Sequence, residues 1–265
     1  MKRQKKIKRM LVLAAVAVLA VLVLIRFAPW KNGQTVNAPE RACSTPFPQR
    51  ENALTGEAFF PENDANWTYH FVYAYPSLPG EGYAAAAVND TYKTALDEML
   101  HLVLPMFANE EAMRYDGNNE IIHDFEVCCD NGRFFSVLQK RSQTRGAEPP
   151  ILTLEAQTFD MAGEYLGETL TLRGVVMVGD SSDQLGAALY PVLYEEFRAL
   201  QASGVCKAEM EWEDFELEFD PTRDFYCDEN GNAVFFFSPE MLTEPSFAVP
   251  VFTYSPAELE GLLAK

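Results

Sequence analysis

Hydrophobic and polar positions change their spacing along the chain, and each change predicts a different element. Residues 10–25 form an unbroken apolar run, whereas residues 31–66 are polar and have no sustained period. Residues 68–75 are β-branched and aromatic and end at a proline, which is typical of a strand. From Glu81 to Leu104 apolar residues recur at helical spacing, which predicts a helix that Pro105 stops or kinks.

Further strands and helices follow from the same patterns in the rest of the chain. Asp130-Asn131-Gly132 separates two strand-like runs, and Asn-Gly favours the tight turn of a hairpin. Additional elements are predicted as strands at 151–159 and 247–254, a hairpin around 228–232, a helix at 183–202 and a short helix at 256–263. This order predicts an α+β fold, in which largely antiparallel sheets pack with two main helices.

Residues 209–220 combine apolar alternation with many acidic side chains. Apolar residues occupy even positions up to Trp212 and odd positions from Phe215, which predicts a β-bulge or two abutting strands. One face would then be a ladder of carboxylates, our candidate ligand-binding residues: Glu209, Glu211, Glu213, Asp214, Glu216, Glu218 and Asp220. Ca²⁺ also prefers oxygen ligands, but side chains alternating along one strand do not encircle an ion, so a solvated face is favoured over a metal site.

The amino-terminal pattern predicts where the chain resides. Six cations precede the apolar run, and Arg26 and Trp30 follow it, as such residues do at a bilayer surface. We expect a cytoplasmic basic tail (1–9), a single transmembrane helix (10–28), a linker (29–66) and an extracytoplasmic domain (67–265) with halves at about 67–145 and 146–265. A cleaved signal peptide begins in the same way, and in that case the domain is secreted.

Charge narrows the range of partners. Seven of the 21 cations lie before Phe27, where there is no acidic residue, so the remainder carries 14 cations against 39 acidic residues, a formal net charge of −25. A domain this acidic is not expected to bind nucleic acid or an anionic membrane surface. It would attract a cationic protein or divalent ions, and the alternative is an acidic surface that only keeps the domain soluble.

The five cysteines suit an oxidising compartment, and their odd number leaves at least one thiol unpaired within the chain. Cys206 and Cys227 flank the acidic segment and are the candidate disulfide, with buried unpaired thiols as the alternative. Cys128 and Cys129 are neighbours on a predicted strand, so their side chains are expected to point to opposite faces.

Sequence signatures of catalysis are missing. The chain has no nucleophile–base motif, Gly-rich phosphate loop or metal-ligand spacing, so we expect no enzyme, cofactor or metal. His101 is expected to pack on the apolar face of its helix. For His123 a surface pair with Asp124 is favoured over acid–base chemistry. Asn66-Trp67-Thr68 and Asn89-Asp90-Thr91 match the glycosylation sequon.

Three stretches together resemble a known domain. They are Tyr73–Gly80 with the following Val88-Asn89, Leu152–Asp160 with Gly163 and Leu170–Leu172, and Asp224–Phe237 with Val249-Pro250. In this order they are similar to the RsiV-like domain of unknown function, found in the membrane-anchored anti-sigma factor of the sigma-V type and in some peptidoglycan deacetylases. The resemblance covers roughly residues 68–263. It implies an α+β fold outside the membrane and, as in that anti-sigma factor, binding of lysozyme as a signal.

Two features depart from that family. Its Gly-Gly-Ala-His-like loop reads Arg145-Gly146-Ala147-Glu148 here, and the roughly ten residues expected in the cytoplasm are too few to clasp a sigma factor. We therefore expect an anchored binding or sensor module that meets a cationic, lysozyme-like protein or a cell-wall component. A structural or accessory envelope protein is the main alternative, followed by a wall-modifying enzyme.

Overall fold

The computed structural model describes residues 51–60, 69–111, 119–176 and 182–263. The basic tail, the predicted transmembrane helix, most of the linker, Cys43 and the sequon at Asn66 lie outside the described residues. Within these ranges, no helix is both long enough and apolar enough to cross a bilayer.

The described elements give an α+β fold. They are β1 (Ala53–Phe60), β2 (Tyr69–Pro76), α1 (Tyr83–Glu98), a π-helical turn (Met99–Val103), α2 (Leu104–Glu111), β3 (Asn119–Asp130), β4 (Phe134–Arg145), β5 (Ile151–Asp160), β6 (Thr169–Leu170), α3 (Leu172–Val176), α4 (Ser182–Ala202), α5 (Trp212–Glu218), β7 (Phe225–Cys227), β8 (Ala233–Phe236), a 3₁₀ turn (Pro239–Met241), β9 (Val251–Tyr254) and α6 (Pro256–Leu263).

The strands form a mixed six-stranded sheet and a small antiparallel one. The large sheet has the order β1-β2-β3-β4-β5-β6, and the small sheet has the order β7-β8-β9. Among the described strands only β2 and β3 pair in parallel, because the helical connection through α1 and α2 carries the chain back before β3 begins. The two predicted halves meet within the large sheet, since β4 and β5 pair from Phe134↔Asp160 to Gln143↔Ile151.

The sheet begins earlier than the sequence analysis placed it. Strand β1 lies in the predicted linker, yet it pairs with β2 along its whole length. The buried His70 of β2 helps to hold this edge, with its Nε2 2.9 Å from Glu57 Oε2 and its Nδ1 3.2 Å from Glu120 Oε1. The Phe59 ring stacks on the imidazole at 4.4 Å. Polar and stacking contacts thus join β1 to the sheet, and apolar periodicity does not reveal them.

The first helical region also differs from the prediction. Pro105 does not stop the helix: it is the second residue of α2, which follows a π-helical turn (Met99–Val103) and continues to Glu111. Between α1 and α2 the π-helical turn adds a residue to one turn and shifts the phase of the side chains. His101 is consequently exposed rather than packed, and Leu102 is 58% exposed.

Each face of the large sheet carries a buried apolar cluster. On one face, Val88, Tyr92 and Leu96 of α1 join a core cluster with Val137 of β4 and other strand residues. On the other face, Leu138 of β4 packs with Leu154 and Phe236, which places the small sheet against the large one. A third cluster gathers side chains from α3 to α6 around the small sheet.

A buried polar contact fixes the two sheets together. The hydroxyls of Ser136 on β4 and Thr158 on β5 are 2.7 Å apart, and the backbone N–H of Cys227 donates to Ser136 Oγ at 3.0 Å. Both hydroxyl-bearing residues are fully buried. The small sheet is therefore docked by hydrogen bonds as well as by apolar packing.

Candidate functional site

The acidic segment is a helix, and the prediction of strands with a β-bulge is wrong. Helix α5 begins after Glu211, whose side chain forms a capping box with Asp214. Trp212, Phe215 and Phe219 are spaced three and four residues apart, which puts them on one helical face. The slip in alternation at Glu213-Asp214 was thus the sign of a helix.

Aromatic side chains hold α5 in a fixed position. Phe215 is fully buried, and its ring lies 5.2 Å from both Tyr194 and Phe197 of α4. The Tyr190 hydroxyl donates to the carbonyl of Phe219 at 3.0 Å. Large rings in contact add specific pair energies to their buried area, so this platform is rigid.

The predicted acidic residues do not form a ladder. Six of them are exposed, and they surround the helix instead of lining one strand face: Glu209, Glu211, Glu213, Asp214, Glu216 and Glu218. Asp220 is partly buried and shapes a turn, because its carboxylate accepts from Thr222 N at 2.9 Å and Thr222 Oγ1 at 2.7 Å.

The exposed side of α5 combines negative charge with one apolar side chain. Glu213, Glu216 and Glu218 make no ion pair with any residue of the described part, whereas Glu211 lies 3.7 Å from Arg198. Leu217 is 77% exposed among these carboxylates. We call this surface, formed by Glu213, Glu216, Leu217 and Glu218, the α5 face.

The predicted Cys206–Cys227 disulfide is not formed. Both cysteines are free and buried, Cys206 beside Leu242 and Cys227 in β7. Burial raises the pKa of Cys206 to about 11 and that of Cys227 to about 12. These thiols are therefore protonated and unreactive at neutral pH.

The adjacent cysteines of β3 lie on the same side of the sheet, contrary to the prediction. The pairing register shifts between Val127 and Cys129, which marks a β-bulge. Cys129 packs in the cluster that contains Phe134, and Cys128 packs against the cluster that contains Leu138. Because positions 134 and 138 of β4 share one face, the bulge brings both cysteines to it.

Asn89, in the second sequon, has a structural role. Its Oδ1 accepts from Leu78 N at 2.7 Å, and its Nδ2 donates to Leu78 O at 3.0 Å. Both ends of the amide are thus engaged in fixing the loop between β2 and α1.

Sequence reasoning missed a polar chain that crosses four strands. The Tyr75 hydroxyl lies 2.6 Å from His123 Nδ1, and Gln139 forms a further side-chain hydrogen bond with His123. Gln139 Nε2 in turn donates to Gln157 Oε1 at 2.7 Å. The imidazole therefore hydrogen-bonds to Tyr75 and Gln139, and the charge of the neighbouring Asp124 also acts on it.

Burial sets the protonation states of the imidazole and the phenol in this row of hydrogen bonds. Burial, with a smaller contribution from the positive charge of Arg141, lowers the pKa of His123 to about 4, so the imidazole is neutral at pH 7. Burial also raises the pKa of Tyr75 above that of an exposed phenol. A neutral imidazole beside a neutral phenol can relay a hydrogen bond without carrying charge.

A second polar row runs beside this chain, directly across the strands. The register pairs Tyr73 with His123, His123 with Arg141, and Arg141 with Thr153. All four side chains are partly exposed. Polar residues at alternate positions of β4 were the available signal, but only the strand register shows what they face.

Within the described ranges, no three His, Cys, Asp or Glu side chains are grouped to hold a metal ion.

Comparisons with known proteins find a similar structure but no similar sequence. No family model matches it, and no curated protein matches it. Among solved structures it is similar to a crystal structure of a DUF3298 family member from Bacteroides fragilis, with a TM-score of 0.48 and 13% identity. The similarity covers 78% of this chain and 90% of that one, and a likeness at this level does not assign the chain to the family.

Proposed function

We propose that this protein is an anchored extracytoplasmic binding module of the RsiV-like type, and that its α5 face recognises a cationic protein. The observation that carries the proposal is Leu217, which is 77% exposed on a helix held by buried aromatic rings, among carboxylates that make no ion pair within the described part of the chain.

An apolar centre with a charged rim is the usual anatomy of a binding surface. Leu217 contributes nothing to the fold at this exposure, but a partner can bury it. Glu213, Glu216 and Glu218 surround it and can pair with lysine or arginine side chains. The aromatic platform fixes the helix before binding, which lowers the entropy cost of association.

Charge also favours this class of partner at long range. The formal net charge of −25 beyond Arg26 attracts a cationic protein and speeds its diffusional encounter. The six amino-terminal cations and the apolar run after them support an anchored location, and the three family-like stretches support lysozyme as the first probe. A cationic envelope component is the other ligand of this chemistry.

The proposal is tested by binding of lysozyme to the full-length chain with α5 charges removed. The test variant combines Glu213→Gln, Glu216→Gln and Glu218→Gln. The control variant combines Glu148→Gln, Glu164→Gln and Glu168→Gln, which removes the same charge from other exposed positions. Surface ion pairs contribute about 0.5 kcal/mol each, so the test variant should bind roughly tenfold more weakly.

Specificity for the α5 face requires that the two variants differ. The control variant should lose much less affinity, because it changes only the long-range electrostatic attraction and no contact of the α5 face. Replacement of Leu217 by Ser should weaken binding even at high salt, where charge is screened. Equal affinity of the test variant and the wild type would exclude the α5 face and favour a structural or wall-associated role.

A further inference from the structure

We propose that Arg141 is the centre of a carboxylate-binding site on the large sheet. The site comprises Tyr73, His123, Arg141 and Thr153, the row that pairs directly across β2, β3, β4 and β5. It does not depend on the α5 face, so either proposal can fail without the other.

Arg141 is distinguished from nearby cations by its lack of a partner. Its Nε is buried and has no hydrogen-bond acceptor, and its guanidinium makes no ion pair with any residue of the described ranges. By contrast, Lys140 pairs with Glu126 at 2.5 Å, and Arg223 pairs with Asp224 at 2.9 Å. A buried polar N–H without an acceptor is costly, so such a group in a native protein requires an explanation, and a bound anion is one that also satisfies the charge.

The unpaired guanidinium is informative because the protein is so acidic. With 39 acidic residues in the chain, an internal carboxylate for Arg141 would be easy to supply. The row instead presents a neutral imidazole, a phenol and a threonine hydroxyl around it. These neutral groups can accompany a bound anion, but none of them neutralises the arginine. Glu155, two residues after Thr153 on β5, acts on the same Tyr75 as Arg141 but makes no ion pair with the guanidinium.

The Tyr73 ring is positioned by an unusual neighbour. Gly56 on β1 pairs with Tyr73, and a Cβ at Gly56 would collide with the Tyr73 hydroxyl. The absence of a side chain at position 56 therefore lets the Tyr73 phenol lie across β1.

A single carboxylate is the anion that suits this site. The planar guanidinium presents a pair of N–H donors that matches the two oxygens of a carboxylate. The strongly negative field of the whole chain opposes a multiply charged anion such as phosphate more than a monoanion. The carboxylate can come from a small monocarboxylic acid or from the carboxyl terminus of a peptide.

The experiment uses the full-length chain and four probes at constant ionic strength. The probes are acetate, N-acetyl-Ala-Ala, the carboxyl-terminal amide of that dipeptide, and inorganic phosphate, each titrated by calorimetry. The variants are Arg141→Gln, Arg141→Lys, and Arg198→Gln as a charge-matched control at a residue that is 51% exposed. Urea midpoints confirm that each variant is folded.

We expect the dipeptide acid to bind and its amide to bind at least tenfold more weakly. Arg141→Gln should abolish binding of the dipeptide acid, and Arg198→Gln should retain it. Arg141→Lys should reduce that binding, because lysine lacks the paired N–H donors of a guanidinium. Acetate that binds as well as the dipeptide acid identifies a small monocarboxylate as sufficient, whereas weaker acetate binding identifies a peptide terminus.

A second readout reports directly on the site. Arg141 lowers the pKa of His123, so a carboxylate that neutralises Arg141 should raise that pKa, as followed by NMR of the imidazole. Three results overturn the proposal: no binding by either carboxylate probe, unchanged binding in Arg141→Gln, or tighter binding of phosphate than of the carboxylates.

Discussion

Two substitutions in α5, Phe215→Ala and Leu217→Ala, test whether the acidic segment is a helix. Residues two apart share a face in a strand but lie on different faces in a helix. The structure follows the helical pattern, since Phe215 is fully buried while Leu217 is 77% exposed. The two truncations should therefore differ sharply in their effect on the free energy of unfolding.

The expected magnitudes follow from the packing of each side chain. The Phe215 ring lies 5.2 Å from Tyr194 and Phe197 of α4 and 5.8 Å from Phe237, and truncation would leave a cavity among these three rings. Core Phe→Ala changes cost about 3–5 kcal/mol, and we expect about 4 kcal/mol here. Leu217→Ala should change stability by less than about 0.5 kcal/mol, as exposed substitutions do.

Urea unfolding monitored by tryptophan fluorescence measures both values, since Trp212 belongs to the same helix. The slopes of the transitions should agree with the wild type, so that midpoint shifts report stability. Losses above about 2 kcal/mol for both variants would place the two side chains on one buried face and refute the helix.

Three other predictions concern the backbone, pH and thiols. Gly167→Ala should be more destabilising than Gly204→Ala, although both glycines have φ near +80°. Only at Gly167 would the new Cβ meet a neighbour, the Ala87 Cβ at 2.7 Å, and this clash should cost about 1–3 kcal/mol more in urea unfolding. The folded-state pKa of His123 lies below its ordinary value of 6.5, so between pH 6.5 and 4 the unfolded chain binds more protons than the folded one. The free energy of unfolding should therefore fall as pH drops through this range, by up to about 3 kcal/mol. His123→Gln should lack this loss when unfolding is compared at pH 7 and 4.5. The four described cysteines should resist a thiol reagent at pH 8 in the folded chain and all react in denaturant without reductant; protection of Cys206 and Cys227 in denaturant would restore the predicted disulfide.

Elements with a strong local signal were predictable from sequence. The Asn131-Gly132 pair predicted the hairpin, because Asn-Gly favours positive φ, and Gly132 adopts φ of +79°. Gly204 predicted the end of α4 in a similar way, since glycine favours the positive φ at which helices end, and its φ is +80°. In these cases the residue that decides the structure lies within the element itself.

Elements that depend on distant partners were not predictable. Strand β1 is held through His70 and by pairing with β2, and neither contact leaves a period in its own sequence. The site around Arg141 requires the register of four strands, which local patterns do not determine. The helix α5 is an intermediate case: the spacing of Trp212, Phe215 and Phe219 was visible, but an apparent alternation competed with it.

The most direct test of the proposed function is the association rate of lysozyme with the full-length chain as a function of ionic strength. Surface plasmon resonance on the wild type, the α5 triple variant and the control triple variant provides it. We expect the rate for the wild type to fall steeply with salt, and the α5 variant to associate more slowly and with a shallower salt dependence than the control. Identical rates and salt dependences for the two variants would contradict recognition through the α5 face.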